Sequence, residues 1–274
     1  MGLEELQDLM IKYHFKPDKK LSQNFCTNQA VLIYMTKIAN LKSTDVVLEI
    51  GPGTGFLTKF LVDKCKVIAV EKDEVMVEVL KDKFKSEIEK GQLILLNEDA
   101  LLIDYTKYKI NKVVSLPPYH ISTNLLNKIT LENITQAVLM LDEGFIEKLT
   151  AFEGLKEYTA LTCFVNVNAK IEVVEKIAKT NFYPAPNCTS AIVNITFKQK
   201  NNTKAYQTFL KELFRHKNKV MRTGLRQALP FLITELKWKK SIEKKFDTLK
   251  NKNEKIYSSS PEKILKTYEE LIKK

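Results

Sequence analysis

Apolar and polar positions follow two rhythms along the first two hundred residues. Short β-branched runs, DVVLEI (45–50), KVIAVE (66–71), QLILLN (92–97), KVVSL (112–116) and QAVLML (136–141), read as buried strands. Between the first three lie TGFLTKFLVDK (54–64) and DEVMVEVLKDKFKSEIEK (73–90). There Leu57, Phe60 and Leu61, and then Val75, Val79 and Leu80, recur at helical spacing. Strand and helix in alternation predict a parallel sheet with helices on both faces. Right-handed crossovers then make the sheet doubly wound. Past Leu141 the pattern predicts a helix near 142–152, then antiparallel edge strands in LTCFVNVNAKIEVVEKI (161–177) and SAIVNITFK (190–198). KQKNNT (198–203) is polar and suits a linker; AYQTFLKELFRHKNKVMRTGLRQAL (205–229) is a long helical pattern, and the tail is helical and lysine-rich. The predicted fold is α/β: a doubly wound, mostly parallel sheet over 1–200, with a small helical domain over 201–274.

Composition adds a size and a polarity to this outline. The 274 residues are 44% hydrophobic, enough for a sizeable core. No apolar run approaches the ~18–20 residues that span a bilayer. The start, MGLEELQDLM, is acidic and has no apolar signal region, so a cytoplasmic, membrane-free protein is expected. Cys26, Cys65, Cys163 and Cys188 are dispersed, as are His14, His120 and His216, so neither a metal site nor a disulfide framework is expected. Charge is uneven. Residues 1–200 carry 25 basic and 25 acidic side chains, and residues 201–274 carry 19 and 8, so the whole net charge of +11 sits in the last quarter. That suits a polyanionic partner such as nucleic acid, or a solvated lysine-rich helical surface.

Candidate chemistry gathers at the ends of the predicted strands. LEIGPGTGFL (48–57) follows a strand and opens a helix, with Gly51, Gly53 and Gly55 in a Gly-x-Gly-x-Gly turn. Glycines let the chain turn sharply and let a ligand lie on bare backbone. The spacing is not the Gly-x-Gly-x-x-Gly of pyrophosphate cradles, and there is no P-loop Gly-Lys-Ser/Thr. Glu49 also puts a carboxylate where a phosphate would be repelled. A cationic nucleoside such as S-adenosylmethionine fits better. Glu71 ends the second strand, placed to accept from ribose hydroxyls, with Lys72 beside it. Asp99 ends the third, placed to accept from an adenine amine, with Ala100 following. Any one of these acids alone would read as a solvated loop residue; three in register favour a ligand.

The fourth strand runs into SLPPYH (115–120). In enzymes that methylate an exocyclic adenine amine, the loop at this place reads Asn/Asp/Ser-Pro-Pro-Tyr or Asn-Leu-Pro-Tyr. The amine's lone pair is delocalised into the ring. A side-chain oxygen and a backbone carbonyl accept its hydrogens and favour the attacking geometry, while prolines stiffen the loop and the tyrosine stacks on the base. Here Leu116, Pro117, Pro118 and Tyr119 occupy those positions, and Leu116 cannot accept a hydrogen bond. Ser115 and His120 flank them.

The ordered set KKLSQNF (19–25), LEIGPGTGFLT, VEKD, NEDAL, PPYHIST, FYPAPNCTSAIV (182–193) and LFRHKNKVMRTGL (213–225) resembles the ribosomal RNA adenine N,N-dimethyltransferases over residues 16–230. The resemblance implies an S-adenosylmethionine-dependent enzyme dimethylating two adjacent adenosines near the 3′ end of small-subunit rRNA. It implies a pre-small-subunit particle as partner and a role in ribosome assembly. Asn24, Cys26, Gly51, Glu71, Asp99 and Leu116 fall on the family's cofactor positions, with Gln23, Glu49, Gly53, Lys72 and Ala100 beside them. Tyr119 falls on its base-stacking position. Arg215, Lys217, Lys219, Arg222 and Arg226 are the candidates for gripping rRNA phosphates. The chain departs from the family at Ser22 for Gly, Cys26 for Leu, Asp142 for Gln, Leu116 for Asn and Pro117 for Leu. Because of Leu116, a second reading is an rRNA-binding assembly factor with weak or lost methylation. A third is a large-subunit rRNA methylase of the antibiotic-resistance type. A monomer is expected, since no long exposed apolar stripe is evident.

Overall fold

The structure, a computed structural model, describes residues 2–18, 23–198 and 203–273. Lys19 to Ser22, at the start of the KKLSQNF segment, and residues 199–202 of the expected linker lie outside the described residues. In chain order the strands are β1 (Phe25–Cys26), β2 (Val46–Ile50), β3 (Lys66–Glu71), β4 (Leu93–Asn97), β5 (Lys112–Ser115), β6 (Gln136–Asp142), β7 (Ala169–Ile177), β8 (Phe182–Tyr183) and β9 (Ser190–Phe197). The helices are α1 (Gly2–Lys12), α2 (Gln29–Ala39), α3 (Thr58–Val62), α4 (Glu74–Lys83), α5 (Lys85–Glu89), α6 (Ser122–Leu131), α7 (Glu143–Leu149), α8 (Ala160–Asn168), α9 (Lys204–Phe214), α10 (Met221–Leu236) and α11 (Pro261–Ile272).

Packing divides the chain into two units, Met1–Ile146 with Ile171–Phe197, and Glu147–Lys170 with Lys198–Lys274. The first holds a seven-stranded sheet in the order β4-β3-β2-β5-β6-β9-β7. The five apolar runs pair in parallel, and β9 runs antiparallel to β6 from Gln136↔Thr196 to Asp142↔Ser190. Successive strands step outward from β2 through β3 to β4, and then the chain returns to place β5 on β2's other side. That reversal opens a crevice at the carboxyl ends of β2 and β5, where open α/β sheets bind ligands.

The two central strands part as they reach the crevice. Their ladder pairs Val47 with Lys112 and Leu48 with Val113. Beyond it the fully buried Ser115 takes over. Its hydroxyl donates to the Ile50 carbonyl at 2.6 Å and accepts from the Ile50 N–H at 3.3 Å. At the other end Asn111 holds the Val46 N–H and the Asp45 carboxylate, each at 2.8 Å. Lys112 lies 3.2 Å from Asp45. Leu32, Met35 and Ala39 of α2, Leu61 and Val62 of α3 and Leu80 of α4 close over Val47, Val67, Val114 and Met140 of the sheet. Apart from the sheet, β1 and β8 form an antiparallel pair, Phe25 with Tyr183 and Cys26 with Phe182.

The second unit is helical and built on aromatic rings. Tyr206 and Phe209 of α9 are fully buried. Ring centroids lie 5.0 Å apart for Tyr206 and Tyr268, 5.1 Å for Phe209 and Tyr268 and 5.7 Å for Phe209 and Trp238.

Three expectations are corrected. LTCFVNVN is helix α8, and only the following AKIEVVEKI is a strand. Thr159 and Thr162 form a reciprocal capping box that starts the helix, and Thr162, Cys163, Phe164 and Val165 are all buried. An apolar run buried all round carries no period to separate helix from strand. Residues 205–229 form not one helix but α9 and α10, because Val220 leaves the helical path to bridge Lys255. Five polar residues, 215–219, separate the apolar faces that the two helices bury. A single boundary at residue 200 also assigns Glu147–Lys170 to the sheet unit, whereas packing groups it with the helical one.

Ser115→Ala leaves a buried N–H and a buried carbonyl of Ile50 without their partner. The expected loss is about 1–3 kcal/mol, read as a lower urea midpoint at unchanged slope.

Candidate active site

The glycine turn leaves β2 with Gly51, Gly53 and Gly55 at φ of 63°, 56° and 76°, a region side chains rarely adopt. A Cβ on Gly51 would stand 3.3 Å from Pro118 Cδ, and one on Gly53 would stand 2.9 Å from the Phe25 ring. Bare backbone therefore lets the proline loop and the strand β1 close on the turn. Between them lies a cavity of about 220 Å³. Every candidate cofactor residue lines it: Gln23, Asn24, Cys26, Glu49, Gly51, Gly53, Glu71, Lys72, Asp99, Ala100 and Leu116.

Two buried carboxylates face this cavity in different states. Glu71 accepts from the N–H groups of Gly53 at 3.0 Å, Lys72 at 2.8 Å and Asp73 at 2.9 Å. Burial raises its pKa, and these three donors pull it back. Glu49, 2% exposed, has no such cradle, and its Oε2 lacks a partner among the described residues. Burial pushes its pKa up to about 8, and the nearby Glu71 charge adds to the rise. Thr58 lies close enough to oppose the rise, yet its hydroxyl and that of Thr54 also lack ordinary hydrogen-bond partners. Asp99 accepts from the Leu101 N–H at 2.9 Å and lies 3.5 Å from the Lys72 ammonium.

Among the described residues, the carboxyls lining the cavity are Glu49, Glu71, Glu98 and Asp99, against the single ammonium of Lys72. That balance repels phosphate and suits a cation. The unpartnered Glu49 oxygen and Thr54 hydroxyl belong to residues that line the cavity, and a bound ligand or its water would satisfy them. The donor set therefore fits S-adenosylmethionine.

The proline loop enters from β5. Leu116 packs on the core of the sheet unit and lines the cavity. Pro117 is buried, and Pro118 lines the cavity. Tyr119 opens a short helical turn, half-buried, with its hydroxyl 2.5 Å from Ser190 Oγ at the start of β9. Burial raises the tyrosine pKa to about 12, so it stays a neutral phenol. The Ser115 hydroxyl, bound to Ile50, does not take the place that Leu116 leaves without an acceptor. Gln23 fastens the other wall, donating to Asp73 at 2.6 Å and accepting from the Asp18 N–H at 2.8 Å. The buried Cys26 thiol is pushed up to about 11 by burial, which makes it an apolar wall and no nucleophile.

Sequence reasoning passed over Phe25, Thr54, Phe56, Glu98, Ile121 and Ser190. Phe25 and Phe56 pack on Leu6 and Met76 as ordinary core aromatics, and no residue pattern marks them as cavity walls. Ser190 meets Tyr119 across 71 positions. The five basic candidates lie in the helical unit, four of them exposed and Lys217 half-buried. Lys217 donates to the Lys156 carbonyl at 2.9 Å and the Tyr158 carbonyl at 3.2 Å. Arg226 pairs with Asp247 at 2.8 Å, and Arg215 with Glu212 at 3.2 Å.

Comparison with known proteins gives this arrangement relatives. The family described as ribosomal RNA adenine dimethylase matches residues 14–265. A Pyrococcus furiosus protein named "probable ribosomal RNA small subunit methyltransferase A" is 31% identical over 98% of this chain and 97% of its own. A Methanopyrus kandleri protein of the same name is 33% identical over 95% and 92%. The crystal structure of a dimethyladenosine transferase from Plasmodium falciparum matches at a TM-score of 0.73 and 25% identity, over 89% of this chain and 97% of that one. That of the 23S rRNA methyltransferase ErmE shares the fold at 0.63 and 21%, over 91% and 100%.

The raised pKa of Glu49 has a stability consequence. The folded state prefers the neutral acid, so stability is fully present below the unfolded carboxyl pKa and is lost as pH rises through about 8. Glu49→Gln keeps the shape and removes the titration. Relative to the natural protein it is expected to gain on the order of 1–3 kcal/mol at pH 9 and little near pH 5, measured by urea unfolding at both.

Proposed function

The chain belongs to the ribosomal RNA adenine dimethylase family, and we propose that it dimethylates two adjacent adenosines near the 3′ end of small-subunit rRNA during assembly of that subunit. One observation carries the reading: the glycine turn and the proline loop meet, with Pro118 Cδ 3.3 Å from where a Gly51 Cβ would stand. The place for a methyl donor and the place for an adenine amine are thereby neighbours. The names of the Pyrococcus furiosus and Methanopyrus kandleri relatives point to the small subunit.

When bound, S-adenosylmethionine supplies an electrophilic methyl on a sulfonium. In this reading the protein's part is positioning. Glu71 uses its remaining lone pairs for the ribose hydroxyls, and Asp99 accepts from the cofactor's adenine beside Ala100. Gln23, Asn24 and Cys26 cover the methionine end. The target adenine, turned out of its stack, lies on the Tyr119 ring, which the Ser190 contact holds in place. Its amine hydrogens go to the carbonyls of Leu116 and Pro117, because Ser115 is engaged with Ile50.

The exposed Arg215, Lys219 and Arg222 contact rRNA phosphates in this reading, while Lys217 fastens the segment around Lys156 and Tyr158 and Arg226 stays paired with Asp247. Each of Arg215→Ala, Lys219→Ala and Arg222→Ala is expected to weaken rRNA binding across sequences and lower the salt slope by about 1.

The deciding experiment incubates unmodified small subunits with the protein and S-adenosylmethionine and reads 3′ rRNA fragments by mass spectrometry. Dimethyladenosine at two adjacent positions is expected, slowly. Leu116→Asn restores a side-chain acceptor and is expected to raise the rate, by up to about 10²–10³ by analogy with one oxyanion-hole donor. Cofactor binding without methyl transfer from either protein, or transfer only to large-subunit rRNA, sinks the proposal.

A further inference from the structure

The glycine turn is held by a lysine that is not among the residues lining the cavity. Lys83 ends α4, and most of its side chain is buried. Its ammonium donates to the Thr54 carbonyl at 3.2 Å and to the Glu5 carboxylate of α1 at 2.8 Å. It also lies over the Phe56 ring, 4.8 Å from the centroid, and 5.9 Å from that of Phe84. Phe84 is the ring that a Cβ on Gly55 would strike, so the turn rests directly on α4's end. Thr54 and Phe56, on either side of Gly55, both line the cavity. The buried Thr54 hydroxyl has no ordinary hydrogen-bond partner among the described residues. The backbone that Lys83 fixes therefore carries a polar group that a ligand can satisfy.

Helix α1 belongs to the same arrangement. Its Leu6 clusters with Phe15, Phe25 and Met76, and Phe56 packs against them. Phe25 and Phe56 are aromatic walls of the cavity, so the place of α1 bears on the distance between those walls and the turn. The Tyr13 hydroxyl ties the segment after α1 to Asp82 at 2.7 Å, but that bond is exposed. Lys83 reaches both α1 and the turn. We propose that Lys83 is a positioning residue for the crevice: by holding the Thr54 carbonyl and Glu5 together, it fixes the glycine turn against Phe25 and Phe56 and so sets the grip on the cofactor. This rests on the reading of the crevice as the S-adenosylmethionine site. The place calls for a cation and not merely for an alkyl stem. Two oxygen acceptors and two ring faces surround the ammonium, and each favours positive charge. The carboxyl end of α4 adds its dipole in the same sense.

The test compares the natural protein with Lys83→Met, Lys83→Arg and Glu5→Gln. Calorimetry with S-adenosylmethionine gives Kd under conditions where urea unfolding shows each protein to be folded. Hydrogen exchange follows the amides of α1 with and without the cofactor. Lys83→Met keeps an unbranched apolar stem and loses the charge. It is expected to weaken binding about tenfold, the effect of one charge-assisted hydrogen bond, and Lys83→Arg is expected to recover most of that loss. The cofactor is expected to slow exchange in α1 of the natural protein and not in α1 of Lys83→Met. Glu5→Gln keeps the Thr54 contact, so it is expected to weaken binding less than Lys83→Met while losing the same slowing in α1. A Lys83→Met protein that is less stable to urea yet binds the cofactor as tightly as the natural one has lost only a structural lysine, which overturns the proposal. Cofactor binding to the natural protein that leaves α1 exchange unchanged overturns it too. Where Lys83→Met does not fold, the exchange of α1 in Glu5→Gln decides: slowing that persists there overturns the proposal. No binding of S-adenosylmethionine to the natural protein removes the cofactor reading and this inference together.

Discussion

Two central strands must stay paired at their roots and part at their tips, and the side chain of Ser115 is how this sheet does both. The ladder between β2 and β5 covers two residue pairs. One hydroxyl then satisfies both polar groups of Ile50 where a third rung would otherwise be needed. A buried backbone donor and acceptor without partners would oppose any opening of the sheet. With them satisfied, the glycine turn and the proline loop can diverge from adjacent strands and still face each other. The same commitment decides the chemistry of the proline loop. A serine that holds Ile50 is not an amine acceptor, so the substitution at Leu116 is not repaired from the preceding position.

Most of the sheet unit was legible because its strands are short, β-branched and buried on both faces, which leaves a continuous apolar signature. The glycine turn and the acids at strand ends were legible because their chemistry requires particular residues at particular ends. The rest failed for identifiable reasons. Alternation misleads in LTCFVNVN, where burial on every side hides the period and a threonine capping box decides the outcome. The break before α10 was missed because the polar residues 215–219 carry neither glycine nor proline and pass for the exposed face of one helix. Lys156 and Tyr158 belong with the helical unit through hydrogen bonds to Lys217, a pairing across a stretch of chain too long for any local pattern to record.

The site shows the same division. Residues chosen by type, Glu49, Glu71, Asp99 and the glycines at 51 and 53, line the cavity. Walls chosen by packing, Phe25 and Phe56, carry no mark in sequence because they are also core residues beneath α1. Basic residues were chosen by sign, and sign does not reveal partnership: Lys217 donates to carbonyls, and Arg215 and Arg226 each lie beside a carboxylate.

Charge is the thread that joins crevice and helical unit. Among the described residues the crevice is lined by four carboxyls and one ammonium, while the last quarter of the chain holds 19 basic and 8 acidic residues. A uniformly basic protein that binds a polyanion would draw phosphates into any open cavity, including the one meant for a cation. Residues 1–200 carry 25 basic and 25 acidic side chains, and acids gathered at the strand ends would oppose the entry of phosphates. In the proposed reading, a polyanion is drawn to the basic last quarter of the chain and repelled by the acids of the crevice. Glu49 is the extreme case: burial raises its pKa against the opposing effect of Thr58, and a neutral carboxyl destabilises the fold less than a fixed anion would.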